Sequence, residues 1–173
     1  MKRVFGLASV ALLAFVLASC TLYVSPNDDV SVRGRVRFGI EVSDVIQVFE
    51  PTRGAGATYF VGDEVSFRVR TDRDGYITLT ALDPNGRVQT FSRDVYVRGG
   101  ESTVIPSRSD PFVFTVEPPR GLQRVRAAFT PARTGERVRA RAITGEDQWT
   151  QSIVTEVRPY DVRDIVETRF FIE

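Results

Sequence analysis

Val65-Ser66-Phe67-Arg68-Val69-Arg70, then Asp72-Arg73-Asp74-Gly75, then Tyr76-Ile77-Thr78-Leu79-Thr80-Ala81, then Asp83-Pro84-Asn85-Gly86: the period of this stretch decides the fold. Apolar residues recur at every second position on both sides of the first turn. That is the pattern of strands with one face toward a core and the other toward water. The tetrapeptides between them supply Asp, Asn, Pro and Gly, which bend a chain tightly, with Gly75 expected to take a positive φ. Strand, turn, strand, turn is the beginning of an antiparallel sheet.

The same period continues outward. Val36, Phe38, Ile40 and Val42 alternate with Arg35, Arg37, Gly39 and Glu41, which predicts one strand there. Shorter alternations occupy Val95–Val97, Phe112–Val116, Val125–Phe129 and Arg169–Ile172, divided by Arg98-Gly99-Gly100-Glu101 and Glu117-Pro118-Pro119-Arg120-Gly121. About seven or eight short strands at roughly 8–12-residue spacing predict an all-β fold, an antiparallel immunoglobulin-like β-sandwich. Thr134–Gln151 leaves two readings open: a short helix over Gly135–Ala142, or a further strand over Arg137–Arg141. A loop with one helical turn is favoured, so one short helix is allowed near 135–150. No internal repeat is visible, and residues 30–173 are expected to form a single domain.

Composition narrows the chemistry. The chain has 173 residues, 42% hydrophobic and 26% charged, with no histidine and one cysteine. A Ser-His-Asp or Cys-His nucleophile system, an intrachain disulfide and an ordinary Cys/His zinc site are therefore excluded. The cysteine closes a distinctive leader. Lys2 and Arg3 precede an uncharged apolar run from Val4 to Ser19, the layout of a secretory signal and shorter than the ~20 residues of a spanning helix. Leu17-Ala18-Ser19-Cys20 resembles the lipobox of bacterial lipoproteins. That resemblance implies a signal peptide over residues 1–19, diacylglycerol on the Cys20 thiol, and a short tether over residues 20–29. In diderm lipoproteins an Asp directly after this cysteine retains the protein in the inner membrane. Thr21 is not that signal, so the resemblance favours the outer membrane.

Loss of Lys2 and Arg3 leaves 21 basic against 22 acidic residues, a net charge of about −1. Nucleic-acid binders are normally strongly basic, so no nucleic-acid partner is expected.

Ala57-Thr58-Tyr59-Phe60-Val61-Gly62-Asp63-Glu64-Val65-Ser66-Phe67, followed by Asp72-Arg73-Asp74-Gly75-Tyr76-Ile77 and Asp83-Pro84-Asn85-Gly86, resembles the bacterial family DUF4384. Gly99-Gly100-Glu101 and Phe114–Gly121 have counterparts in the family as well. The resemblance spans roughly residues 45–132 and implies a β-rich, exported or membrane-tethered protein without an assigned catalytic activity. Thr90-Phe91-Ser92-Arg93-Asp94 departs from the apolar-Phe-Pro-Asn stretch that the family often carries there.

Candidate chemistry is sparse. Asp72, Asp74 and Gly75 resemble the start of a calcium loop, but Tyr76-Ile77-Thr78-Leu79 already alternates as a strand, so a turn is favoured and no metal is expected. Asp63-Glu64, Glu146-Asp147 and Asp161/Asp164 are adjacent or lie in polar loops, and neighbouring acids on a strand point to opposite faces. No catalytic residue and no cofactor is expected. Arginine spacing is more suggestive: Arg33, Arg35 and Arg37, then Arg68 and Arg70, then Arg124 and Arg126 repeat at every second position, with Arg137, Arg139 and Arg141 as a further set. Aligned on a sheet, such guanidinium forks suit phosphate or carboxylate groups; solvent-facing residues paired with acids are the plainer reading. Trp149 beside Asp147 and Gln148 either stacks on a ligand or packs over an open sandwich end, and packing is favoured.

The expectation is a lipid-anchored envelope protein without enzymatic activity, binding as an accessory or scaffold module of a cell-surface assembly. Its membrane contact is the Cys20 anchor, and its expected partner is an envelope protein. The alternative is an anionic envelope glycan, lipid headgroup or small ligand held by the arginine rows and Trp149.

Overall fold

The computed structural model describes residues 35–135 and 143–173. Residues 1–34, and with them the signal segment, Cys20 and Arg33, lie outside the described residues, as do Arg137, Arg139 and Arg141. The elements are β1 (Arg35–Arg37), β2 (Ile40–Val42), β3 (Ile46–Pro51), β4 (Thr58–Tyr59), β5 (Glu64–Val65), β6 (Phe67–Thr71), β7 (Gly75–Leu82), β8 (Val88–Val97), β9 (Ser102–Ile105), β10 (Phe114–Thr115), β11 (Gly121–Thr130), α1 (Glu146–Val157) and β12 (Asp164–Ile172).

Alternation builds two sheets that face each other. The larger runs β4-β12-β11-β7-β8, antiparallel except where β4 meets β12, and the smaller runs β3-β6-β9. Phe67 and Val69 of β6, Ile77 and Leu79 of β7, Val125, Ala127 and Phe129 of β11, and Phe170 and Ile172 of β12 meet in one core between them. The fold is the all-β antiparallel sandwich that the period predicts. Seven strands have four residues or more; the other five are pieces of two or three.

The larger sheet is covered on both faces. Its far side carries Leu82, Ala128 and Ile165, packed under Trp149, Ile153, Val154 and Val157 of α1. Those helix residues recur at three- and four-residue intervals, the stripe an amphipathic helix turns toward a core. Glu146 and Asp147 in the first turn suit the positive end of the helix dipole. The helix therefore starts near the end of the predicted 135–150 window and continues well beyond it. No helical assignment is made for Gly135–Ala142, of which residues 136–142 lie outside the described segment.

Two further details depart from the sequence reading. The predicted strand over residues 35–42 is a hairpin: Phe38 and Gly39 take φ of 51° and 77°, and β1 folds back on β2. Gly75 is required by close approach rather than by positive φ. A Cβ there would lie 2.3 Å from the Phe129 ring and 2.8 Å from the Thr130 carbonyl. In Asp83-Pro84-Asn85-Gly86 the turn chemistry is as read: Gly86 has φ 79°, its N–H donates to the Asp83 carbonyl, and the Arg87 N–H donates to the Asp83 carboxylate.

Strand lengths leave one end of the sandwich open. β8 and β11 have 10 residues each, whereas β6 has 5 and β9 has 4. At about 3.3 Å per residue the long strands extend roughly 33 Å and β6 roughly 17 Å. The smaller sheet thus covers only part of the larger one. Beyond it lie the 113–119 segment and the β5–β10 pair.

Candidate functional site

The arginines nominated by spacing do not form one surface. Arg68 and Arg70 alternate with buried Phe67 and Val69, so they project from the outer face of the smaller sheet. Arg68 is paired with Glu50 at 2.9 Å. Arg35 and Arg37 stand on the β1–β2 hairpin. Arg37 is held by Asp44 at 2.6 Å and by buried Asp164 at 3.0 Å, while Arg35 lies 3.7 Å from Asp44. Arg124 and Arg126 point to the helix side of the larger sheet, separated from Arg68 and Arg70 by the whole sandwich core.

On that helix side the charges are locked together. Arg124 binds Glu146 at 2.6 Å and Glu167 at 2.7 Å; Arg126 binds Glu167 at 2.7 Å, Glu146 at 3.2 Å and the Thr150 hydroxyl at 2.8 Å. The Arg126 side chain is 1% exposed, and its guanidinium lies 3.8 Å from the centre of the Trp149 ring and 4.1 Å from that of Phe38. Hydrogen bonds from Arg124 hold the Glu146 carboxyl below its ordinary range. Burial pulls the Arg126 guanidinium down, against the upward pull of Glu167. Trp149 is 0% exposed, and its indole N–H donates to the Thr80 hydroxyl at 2.9 Å. A buried, hydrogen-bonded Trp cannot stack on an arriving ligand. The anion-binding role considered for Arg37, Arg68, Arg124 and Arg126 gives way here to pairing with acids, and Trp149 is a core residue. Arg70 alone among the row members described has no carboxylate within ion-pair distance among the described residues. One exposed guanidinium does not make an anion site.

Several of the nominated acids are committed as well. Asp63 pairs with Arg53 at 2.6 Å, and Asp164 accepts the Ile46 and Ile165 N–H groups besides Arg37. Burial nonetheless pushes the Asp164 carboxyl up. Asp74 accepts the Gly99 N–H and the Tyr96 hydroxyl, which braces the β8–β9 turn against the 72–75 turn. Among the described residues no group of three or more Cys, Asp or Glu is placed to hold a metal ion.

The open end of the sandwich is different in kind. A cleft of about 310 Å³ lies there. Phe67, Phe91, Phe114, Val125 and Phe170 form its walls, and Gln89, Arg87 and Glu117 stand among its lining. Phe91 and Phe114 meet edge to face at 4.9 Å, and Phe112 lies 5.7 Å from Phe114. Gln123, nine-tenths buried, belongs to the same lining. Its amide N–H reaches the Arg124 carbonyl only at 3.5 Å, and its side-chain carbonyl has no donor among the described residues. Several exposed apolar side chains lie toward this end, Val113 of them in the cleft lining itself. Phe112 and Val113 are 49% and 56% exposed, and Phe60 is 59% exposed. Exposed Val61 is tied to the end of β12 by its N–H to the Glu173 carbonyl, and exposed Leu122 sits opposite exposed Phe171.

Residues 58–133 match the family model of DUF4384, a domain of unknown function. No curated protein and no solved structure matches the chain. The DUF4384 match begins at β4, later than the residue 45 expected, and ends after β11. In this chain the DUF4384 segment does not close its own sheet. β12, outside the match, is inserted between β4 and β11 and brings Phe170 and Ile172 to the cleft. Sequence reasoning missed the cleft because its residues are ordinary core types. The one local signal was the run Phe112-Val113-Phe114, too apolar for a solvated loop between Pro111 and Pro118.

Proposed function

We propose that this protein is a lipid-anchored envelope protein whose sandwich is a non-catalytic binding module, docking a protein partner of an envelope assembly through its open apolar end. The observation that carries the reading is the cleft at the open end, with half-exposed Val113 in its lining and half-exposed Phe112 packed 5.7 Å from lining Phe114. Soluble surfaces seldom carry contiguous apolar patches of this kind unless something covers them. Pockets that take an anchoring side chain, ringed by apolar contacts, are where protein interfaces concentrate their affinity. The Met1–Cys20 leader supports the anchored address, and Thr21 supports the outer membrane over the inner.

Two measurements test this. Labelled palmitate is expected on the wild-type protein and absent from Cys20→Ser. A stoichiometric envelope protein is expected to copurify with the full-length chain after crosslinking and detergent extraction, and to be lost from Val113→Asp. Equal recovery by Val113→Asp would sink the docking assignment, and palmitate on Cys20→Ser would sink the anchor.

A further inference from the structure

Resting on the docking reading above, we infer that the free edge of β10 takes an extended strand of a partner protein, adding it alongside Val113–Glu117 so that one of its apolar side chains enters the cleft. The Val116 N–H donates to the Asp63 carbonyl at 2.8 Å, and the Val116 carbonyl accepts from Gly62 at 2.9 Å. In an antiparallel ladder successive residues turn their N–H and C=O to opposite sides. Phe114 and Val116 therefore face β5, while Thr115 and Val113 turn their main-chain groups the other way. β10 pairs with β5 alone, and no backbone partner for Thr115 or Val113 exists among the described residues.

An unpaired, apolar strand edge is a template for another chain. This one is short and bounded by Pro111 and Pro118, which restrict pairing to the residues between them. It also lies at the mouth of the cleft, since Val113, Phe114 and Thr115 all line it. Side chains of an added strand alternate in direction, so every second one would turn inward toward Phe91 and Phe114. Gln123, in the cleft lining, offers that segment a side-chain carbonyl as acceptor. A small apolar ligand would leave the Thr115 and Val113 groups unpaired, whereas a peptide strand satisfies them. A second copy of this chain fits poorly: pairing β10 with itself about Thr115 offers only Phe114 and Val116 for the inward position. Both are already committed within their own sandwich.

The test uses full-length protein in detergent and a synthetic acetyl-TVTFTVT-amide strand as probe, read by fluorescence anisotropy. The probe is expected to bind, and its counterpart with Lys for the central Phe to bind at least tenfold more weakly. Thr115→Pro removes the outward N–H without touching the ladder to β5, so it should weaken binding tenfold or more. Thr115→Ala keeps the N–H and should not. Hydrogen exchange at the Thr115 amide of the wild type, which needs no variant, should slow at least tenfold when the probe saturates. No binding up to about 1 mM, an affinity of only about −4 kcal/mol, overturns the inference; so do equal binding by Thr115→Pro and an unchanged Thr115 amide. Self-association abolished by Thr115→Pro would assign the edge to a second copy and overturn it too. The docking reading falls separately, on retention of the envelope partner by Val113→Asp.

Discussion

The two sides of the larger sheet reverse the usual sorting of residues. Under α1, the Arg126 guanidinium and the Trp149 indole N–H are buried, with the partly exposed Glu167 and Glu146 carboxylates paired to the arginines; at the mouth of the sandwich, Phe112, Val113 and Phe60 stand half exposed. The first arrangement costs desolvation that the ion pairs and hydrogen bonds must offset. The second leaves apolar surface in water that burial would stabilise by about 25 cal/mol per Å². Charge in this protein marks what is locked, and exposed apolar surface marks what is left to be covered. Residue type alone would have assigned the two regions the other way round.

The locked side should show the largest effect of mutation. Arg126→Ala removes one of the two guanidinium groups paired with Glu167 and leaves a hole beside Trp149 and Phe38. A loss of about 3–5 kcal/mol is expected from urea unfolding, in line with breaking a buried ion pair. If the loss were below about 1 kcal/mol, the layer under α1 would be looser than its distances indicate. Gly75→Ala comes next. Its methyl would collide with the Phe129 ring, which has core on every side, and about 1–3 kcal/mol of destabilisation is expected. Phe129→Leu in the same chain should recover part of it, since the smaller side chain frees the space.

How much of this was legible in the sequence follows from the same contrast. Period two found β6, β7 and most of β11 and only the ends of β8 and β12, and it missed β3 and β9; where it succeeded, a sheet with one face on a core writes alternation directly. It misread residues 35–42 because a hairpin turn at Phe38-Gly39 preserves alternation on both arms. α1 has its own signal, Trp149, Ile153 and Val157 at four-residue steps, but that stripe begins where the polar run Gly145–Gln148 suggests a loop. Arg124 and Arg126 look solvent-facing because strands alternate; only a helix laid over that face buries them, and one chain does not state which face a distant helix will cover. The cleft was illegible for a different reason. It arises from unequal strand lengths in two sheets, and its residues carry no unusual chemistry.

Acid should loosen the locked side modestly. The folded state holds the Glu146 carboxyl below its ordinary pKa of 4.5, so its contribution is present at neutral pH. That contribution fades as pH falls below 4.5 and through the lower folded value, where the native carboxyl finally protonates. Glu146 is about half exposed, which limits the effect of Glu146→Gln to about 1 kcal/mol or less. The informative reading is the difference between wild type and variant in urea titrations at pH 7 and at pH 3. It should narrow at pH 3; a difference already near zero at pH 7 would mean that Arg124 and Arg126 are held chiefly by Glu167.

The open end should give the smallest effect on stability and the clearest one on function. Phe112→Ser and Val113→Asp replace side chains already half in water, so unfolding free energies should stay within about ±0.5 kcal/mol of wild type. A functional surface and a core differ in this respect: polar replacement in a core removes burial that folding had gained, whereas at an uncovered surface it removes nothing from the folded state. Losses of 2 kcal/mol or more would therefore mean that Phe112 and Val113 complete the sandwich rather than await a partner. Unchanged stability with loss of the copurifying envelope protein would separate the two regions cleanly, one maintained for folding and the other for binding. The same pair of substitutions should also reduce aggregation of the purified protein on heating, because an apolar strand edge without its partner is where chains adhere to one another.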